Sequence, residues 1–197
     1  MAKLSIKEAE ELIKLARKSI KYFFASGRMM KELAPKKYSE KQGVFVTLHE
    51  FPSNELRGCI GFPNPVIPLW NAVIEASVLA GFNDPRFNEL KSDELKKIVI
   101  ELSVLSVPEE IKEKKEKIPE KIRIGRDGLI VDLNGASGLL LPQVATEWKW
   151  NSKQFLEETC IKAGLEKEDW KKKTCKILKF QAQIFREKKP EGKIQEN

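Results

Sequence analysis

A chain of 197 residues with 41% hydrophobic and 33% charged residues has the apolar content for one substantial core or two small lobes, which excludes an intrinsically disordered chain. No apolar run reaches membrane-spanning length, and Lys3, Lys7, Glu8, Glu10 and Glu11 break up the N-terminal stretch where a signal peptide carries its apolar centre. A cytoplasmic protein with no membrane contact is therefore expected. The formal charge is +7, yet seven of the 36 basic residues are arginines and the lysines alternate with glutamates, the pattern of a solvated surface. Nucleic acid is a partner that the charge permits without favouring it. Three widely spaced cysteines (Cys59, Cys160, Cys175) and one histidine (His49) assemble neither a CxxC redox pair nor a zinc site from neighbours, so reduced thiols, no metal and no cofactor are expected.

In chain order, Ser5 and Glu8 form a capping box ahead of an amphipathic helix whose apolar positions run from Ile6 to Phe24 and which ends near Gly27. Gly43 to His49 reads as a strand, Phe51 to Asn54 as a turn, and Leu56 to Phe62 as the returning strand. Matching the apolar faces of this hairpin sets Leu48 opposite Gly58 and Val46 opposite Ile60, which brings His49, Thr47, Arg57 and Cys59 onto the other face. Pro68 fits the first turn of a helix closed by Gly81. Asn83 to Phe87 is a loop, and Ile98 to Ser106 is a central strand in which Glu101 and Ser103 need polar partners or exposure. The charged stretch from Glu109 to Lys121 reads as a solvated helix or linker, and residues 107–122 are the candidate boundary between two lobes. Leu129 to Leu133, the Asn134-Gly135 turn and Gly138 to Leu141 make a second hairpin. Asn151 or Ser152 caps a helix that buries Phe155, Leu156 and Cys160 and stops at Gly164. Thr174 to Phe185 alternates as one long strand, and a polar tail that includes residues 191–197 is expected to fray from Glu187 onward. Hairpins with helices grouped between them indicate an α+β fold with a mainly antiparallel sheet flanked by helices.

Within this frame, the segment Leu56-Arg57-Gly58-Cys59-Ile60-Gly61 concentrates chemistry. Glycine inside a strand marks close approach of a backbone or a ligand. A cation beside a thiol stabilises the thiolate, so Arg57 makes Cys59 the candidate nucleophile, with a small buried thiol as the alternative, and His49 is the one histidine that could serve as its base. Arg57 and Arg86 could grip a carboxylate or phosphate with paired hydrogen bonds. Asp84 either orients an arginine or caps the turn at Pro85. Gln143 either offers its amide to a ligand or caps the short helix after Pro142, and Thr47 joins the group through register.

Gly43-Val44-Phe45-Val46-Thr47-Leu48, the Cys59 segment, Asp84-Pro85-Arg86-Phe87, Glu101-Leu102-Ser103-Val104-Leu105, Gly128-Leu129, Leu140-Leu141-Pro142-Gln143-Val144 and Lys162-Ala163-Gly164-Leu165 together resemble the AMMECR domain family over nearly the whole chain. The resemblance implies a single domain over residues 1–190 built of two subdomains, with the Cys59 segment near the cleft between them. It leaves the reaction open, between catalysis and nucleic-acid processes. It also implies an association with a MEMO domain and a radical-SAM protein, since similar domains occur with these in some microbes. Many members of the family carry His-Gly where this chain has Asp127-Gly128, so a catalytic histidine at that place would be missing. An enzyme of small or modified substrates, or a subunit of one, and a non-catalytic binding or adaptor module are the two functions that these features allow.

Overall fold

The computed structural model describes residues 3–196. In chain order its helices and strands are α1 (Ile6–Ser26), β1 (Gly43–Glu50), β2 (Leu56–Phe62), α2 (Leu69–Phe82), β3 (Ile98–Leu105), β4 (Glu109–Glu110), β5 (Gly128–Leu133), β6 (Ala136–Leu140), α3 (Pro142–Glu147), α4 (Ser152–Lys162), β7 (Lys176–Phe180), β8 (Ala182–Glu187) and β9 (Ile194–Glu196). The strands form two antiparallel sheets in an α+β architecture, ordered β2-β1-β3-β8-β9 and β4-β7-β5-β6. The chain divides into two compact units, one made of the residues up to Leu105 with those from Gln183 onward, the other of Ser106–Ala182.

In the first unit α1 begins as its sequence dictates. Ser5 accepts the Glu8 N–H while the Glu8 carboxylate accepts the Ser5 N–H, and Gly27 ends the helix in the left-handed region at φ 63°. Leu12, Ile13, Ala16 and Ile20 pack with Val73, Ala76 and Ala80 of α2 and with Val46, Leu48, Ile100 and Leu102 of the sheet in one fully buried cluster. Period-2 alternation thus gives β1 and β3 one face for the helices and a second face for other groups. Gly81 does not close α2. The helix runs on to Phe82 and is capped at Asn83, because Gly81 lies against the Leu90 side chain and its carbonyl accepts the Leu90 N–H.

The C-terminal part departs most from the pattern in the sequence. The single strand expected over Thr174 to Phe185 is two strands in different sheets, β7 in the second unit and β8 in the first. They part at Gln181, whose N–H donates to the Ser106 hydroxyl and whose carbonyl accepts the Ser106 N–H. The buried residues are Ile177 and Phe180 before the break and Phe185 and Glu187 after it. The tail expected to fray is ordered as far as Glu196, Asn197 lying outside the described residues: β9 pairs with β8, and Glu187 lies 3% exposed. Its partner is the equally buried Arg17 of α1, which donates Nε and Nη2 to the Glu187 carboxylate at 2.7 and 2.6 Å and caps the carbonyls of Leu95 and Ile98. Glu187 also accepts the Ile100 N–H at 2.8 Å. This side-chain network ties both termini of the unit to the start of its central strand.

In the second unit Leu129, Val131 and Ile177 pack with Phe155, Leu156 and Cys160 of α4. The hairpin turn falls at Asn134 and Gly135, both at positive φ as a two-residue turn requires. A side chain at Gly138 would overlap the backbone of Ala163, so α4 seats directly on β6. The charged stretch from Glu109 begins as a strand and ends as a largely exposed helix: Glu109 and Glu110 pair with β7, and a 3₁₀ helix over Lys115–Lys121 buries only Ile118. Cys160 and Cys175 are buried thiols, and burial pushes Cys160 up to about 11, which makes Cys160 the core residue its helix position implies.

Breaking the Arg17–Glu187 pair leaves an uncompensated charge among buried groups. Arg17→Met is therefore expected to lower stability by about 3–5 kcal/mol in urea unfolding monitored by circular dichroism, with Arg17→Met/Glu187→Met losing less than the single variant.

Candidate functional site

The hairpin between β1 and β2 keeps the register that its apolar faces demand, with Leu48 opposite Gly58 and Val46 opposite Ile60. Thr47 therefore lies opposite Cys59 on β2 and opposite Glu101 on β3. The three side chains form one row across three strands, on the face away from α1 and α2. The Thr47 hydroxyl donates to the Cys59 sulfur at 3.3 Å, and Arg186 of β8 extends the row to within 4.0 Å of the Glu101 carboxylate. Thr47 is 8% exposed, and the Glu101 and Arg186 side chains 14% and 19%. In the sequence Glu101 is marked as a polar strand residue needing a partner and as part of the family pattern, whereas Arg186 carries no signal there, since the alternation runs on from β7 into β8.

Past Leu48 the register slips. His49 pairs with Leu56, which leaves Arg57 as one extra residue on β2, and such a bulge re-aims the side chain it carries. Arg57 therefore does not join the Thr47–Cys59 row. Its guanidinium donates to both carboxylate oxygens of Glu94, at 2.8 and 3.2 Å, and to the carbonyls of Asn88 and Glu89. Both Arg57 and Arg86 border a depression of about 540 Å³, whose lining also includes Lys91 and the acidic Glu50, Glu89, Asp93 and Glu94. Four carboxylates offset its three cations.

Around Cys59 the sheet edge is closed by two side chains of one loop. The Cys59 N–H donates to Asp84 Oδ2 at 2.9 Å, and the Cys59 carbonyl accepts from Arg86 Nη2 at 3.3 Å. Asp84 and Arg86 lock each other: Arg86 Nε reaches Oδ1 at 2.9 Å, Nη2 reaches Oδ2 at 2.7 Å, and the Arg86 N–H adds a third bond to Oδ1. A carboxylate and a guanidinium thus occupy the outward N–H and C=O of one edge residue, as a neighbouring strand would. The Asp84 side chain is 2% exposed and that of Arg86 55%. The hydrogen bonds from Arg86, with those from the Cys59 and Arg86 backbones, hold Asp84 far below the usual carboxylate range despite its burial. Gly58 supplies the close approach that its type suggested, since a side chain there would overlap the Ala80 carbonyl of α2.

The thiol itself is not activated. Burial pushes the Cys59 pKa up, the charges of Asp84 and Glu101 push it the same way, and the Thr47 hydrogen bond and the Arg86 charge offset this only in part. The activation expected from Arg57 is absent because the bulge and Glu94 take that guanidinium away. The hydrogen-bond partner of the Cys59 thiol is Thr47 and not His49, whose pKa is pushed down by burial and then by the Arg186 charge, with a backbone contact at Asn54 opposing them. The remaining candidate, Gln143, belongs to α3 of the second unit, where its shielded Oε1 has no hydrogen-bond partner among the described residues. Asp127 is a loop-closing group. Its buried carboxylate accepts the Arg123 N–H at 2.9 Å and the Arg126 guanidinium at 2.9 and 3.2 Å. Among the described residues no three metal-binding side chains come together, and no helix is long and apolar enough to cross a membrane.

Fold and site define a two-sheet α+β protein with an ionisable row built into one sheet face. The chain belongs to the AMMECR1 family, whose pattern it matches over residues 13–185. It is 46% identical over 198 residues to Protein MK0488 of Methanopyrus kandleri, covering 98% of this chain and 95% of that one. A protein of Aquifex aeolicus is 45% identical over 190 residues, covering 95% and 97%. The crystal structure of the uncharacterized protein PH0010 from Pyrococcus horikoshii superposes with a TM-score of 0.88 at 45% identity, covering 95% of each chain.

Two outcomes follow from this geometry. Iodoacetamide modifies native Cys59 more slowly than free cysteine at neutral pH, and the rate climbs only as the pH passes the ordinary thiol value of about 8.5; modification faster than free cysteine below neutral pH contradicts the neutral thiol. Asp84→Asn lowers stability by about 1–3 kcal/mol near neutral pH. A carboxylate depressed in the folded state stabilises above its unfolded pKa of about 4 and loses that contribution as the pH falls. The gap between the two proteins in urea titrations should therefore narrow through the acid range.

Proposed function

We propose that this chain is an enzyme of small or modified substrates, or a subunit of one, and that its site is the row Cys59, Thr47, Glu101 and Arg186 together with the Asp84–Arg86 clamp. The observation that carries the reading is the row itself. A carboxylate, a guanidinium, a hydroxyl and a thiol lie largely shielded on the face of a central sheet, where apolar side chains would be more stable. Departures from the burial rule of this kind concentrate at functional sites.

In this reading Arg86 meets an anionic group of the substrate with the part of its guanidinium left exposed, while Asp84 holds it in place. Cys59 acts as a protonated contact and hydrogen-bond donor, and Glu101 is the group suited to exchanging a proton with the ligand. Arg57 supports the loop that carries Glu94 and enters the site only indirectly. A MEMO-like or radical-SAM protein is the partner proposed for the subunit form. A non-catalytic binding module is the second reading, and the raised pKa of Cys59 favours it.

Thermal-shift screening against anionic metabolites, with turnover of every hit followed by mass spectrometry, tests the proposal. The expected result is a compound that stabilises the wild type, is converted, and loses its effect in Arg86→Gln and Glu101→Gln. Stabilisation without conversion favours the binding module. Equal shifts in wild type and both variants overturn the site.

A further inference from the structure

The second unit carries an aromatic surface that the site above does not use. α3 ends in a Schellman motif: the Lys149 N–H donates to the Thr146 carbonyl at 3.2 Å, the Trp150 N–H to the Ala145 carbonyl at 2.9 Å, and Lys149 takes the left-handed conformation at φ 55°. Glycine is the usual residue at that position; here a lysine occupies it. The motif sets two tryptophans side by side. Trp150 packs against the core of its unit, and Trp148 stacks on it with centroids 5.9 Å apart and rings 16° from parallel. Trp148 remains 67% exposed, so the ring face turned away from Trp150 is open.

The loop from Ile122 to Asp127 lies against both ends of this corner. Gly125 approaches the Thr146 hydroxyl, and the Ser152 hydroxyl donates to the Ile122 carbonyl at 3.3 Å. That loop carries Arg123 and Arg126, which like Lys149 are exposed. Asp127 takes two of the Arg126 donors, and Glu147 is the one exposed acid of the Thr146–Ser152 segment. The corner and the loop packed against it thus carry an exposed indole and three exposed cations.

We propose that this corner binds single-stranded nucleic acid, with one base stacked on Trp148 and the flanking phosphates met by Lys149, Arg123 and Arg126. An open aromatic ring holds a base of any identity through its π-face, and cations beside it neutralise the backbone. A duplex keeps its bases stacked on each other and cannot offer one to the indole.

The test is fluorescence anisotropy of a labelled oligo(dU), about ten nucleotides long, titrated with the full chain over a salt series. Binding tighter than about 10⁻⁴ M at physiological salt is expected, with the logarithmic salt slope falling by about 0.7 in Lys149→Gln. Trp148→Ala should weaken binding about tenfold or more, while Trp148→Phe retains most of it; the melting temperature of each variant checks its fold. Absence of binding, equal affinity for a duplex of the same length, equal affinity for uridine monophosphate, or undiminished binding by a folded Trp148→Ala each overturns the proposal.

Discussion

Asp84 is the group on which the geometry around Cys59 depends. One buried carboxylate accepts from the Cys59 backbone, from the Arg86 backbone and from two nitrogens of the Arg86 guanidinium. An edge strand presents unpaired backbone groups that water or another strand would otherwise satisfy. Here the loop after α2 satisfies them at one residue and, through the same bonds, aims an arginine along the strand. Fold and site are coupled at this point, because loss of the carboxylate frees the strand edge and the arginine together.

The electrostatic balance around the thiol decides what kind of site this is. A cysteine next to arginine in the sequence suggests a thiolate. In the folded chain the neighbouring arginine is drawn to Glu94, and the arginine that does approach is already neutralised by Asp84. Burial and two carboxylates then outweigh the remaining stabilisation of the thiolate. A protonated thiol beside an orienting hydroxyl suits contact and hydrogen bonding better than nucleophilic attack, which is why Cys59 enters the proposed site as a contact and Glu101 as the proton-exchanging group.

Much of the architecture could be read from local signals. The capping box at Ser5, the apolar alternation of β1 and β2, the Asn134-Gly135 turn and the cap at Asn151 each act over a few residues, and each is where the sequence puts it. The even-to-even register of the hairpin followed from matching two apolar faces, and it placed Thr47 opposite Cys59 correctly. The family pattern likewise marked Asp84 and Arg86. What escaped the sequence depended on distant partners. The bulge at Arg57 is invisible to a period of two, and it is consistent with the pull of Glu94, 37 residues away. The row from Thr47 to Glu101 required the register of β3 against β1. Gln181 interrupts an alternation that continues across it without a break in composition, because the change of sheet is set by pairing with Ser106, 75 residues earlier. Glu187 looked like the start of a polar tail since its partner, Arg17, lies 170 residues away.

The electrostatic neighbour of the Cys59 thiol is Arg86 and not Arg57. Titration of the Cys59 ¹³Cβ resonance measures this directly in wild type, Arg57→Gln and Arg86→Gln. A pKa above the ordinary thiol value is expected in the wild type, unchanged in Arg57→Gln and raised further in Arg86→Gln. A wild-type pKa below about 8.5, or one that rises when Arg57 alone is replaced, would contradict it.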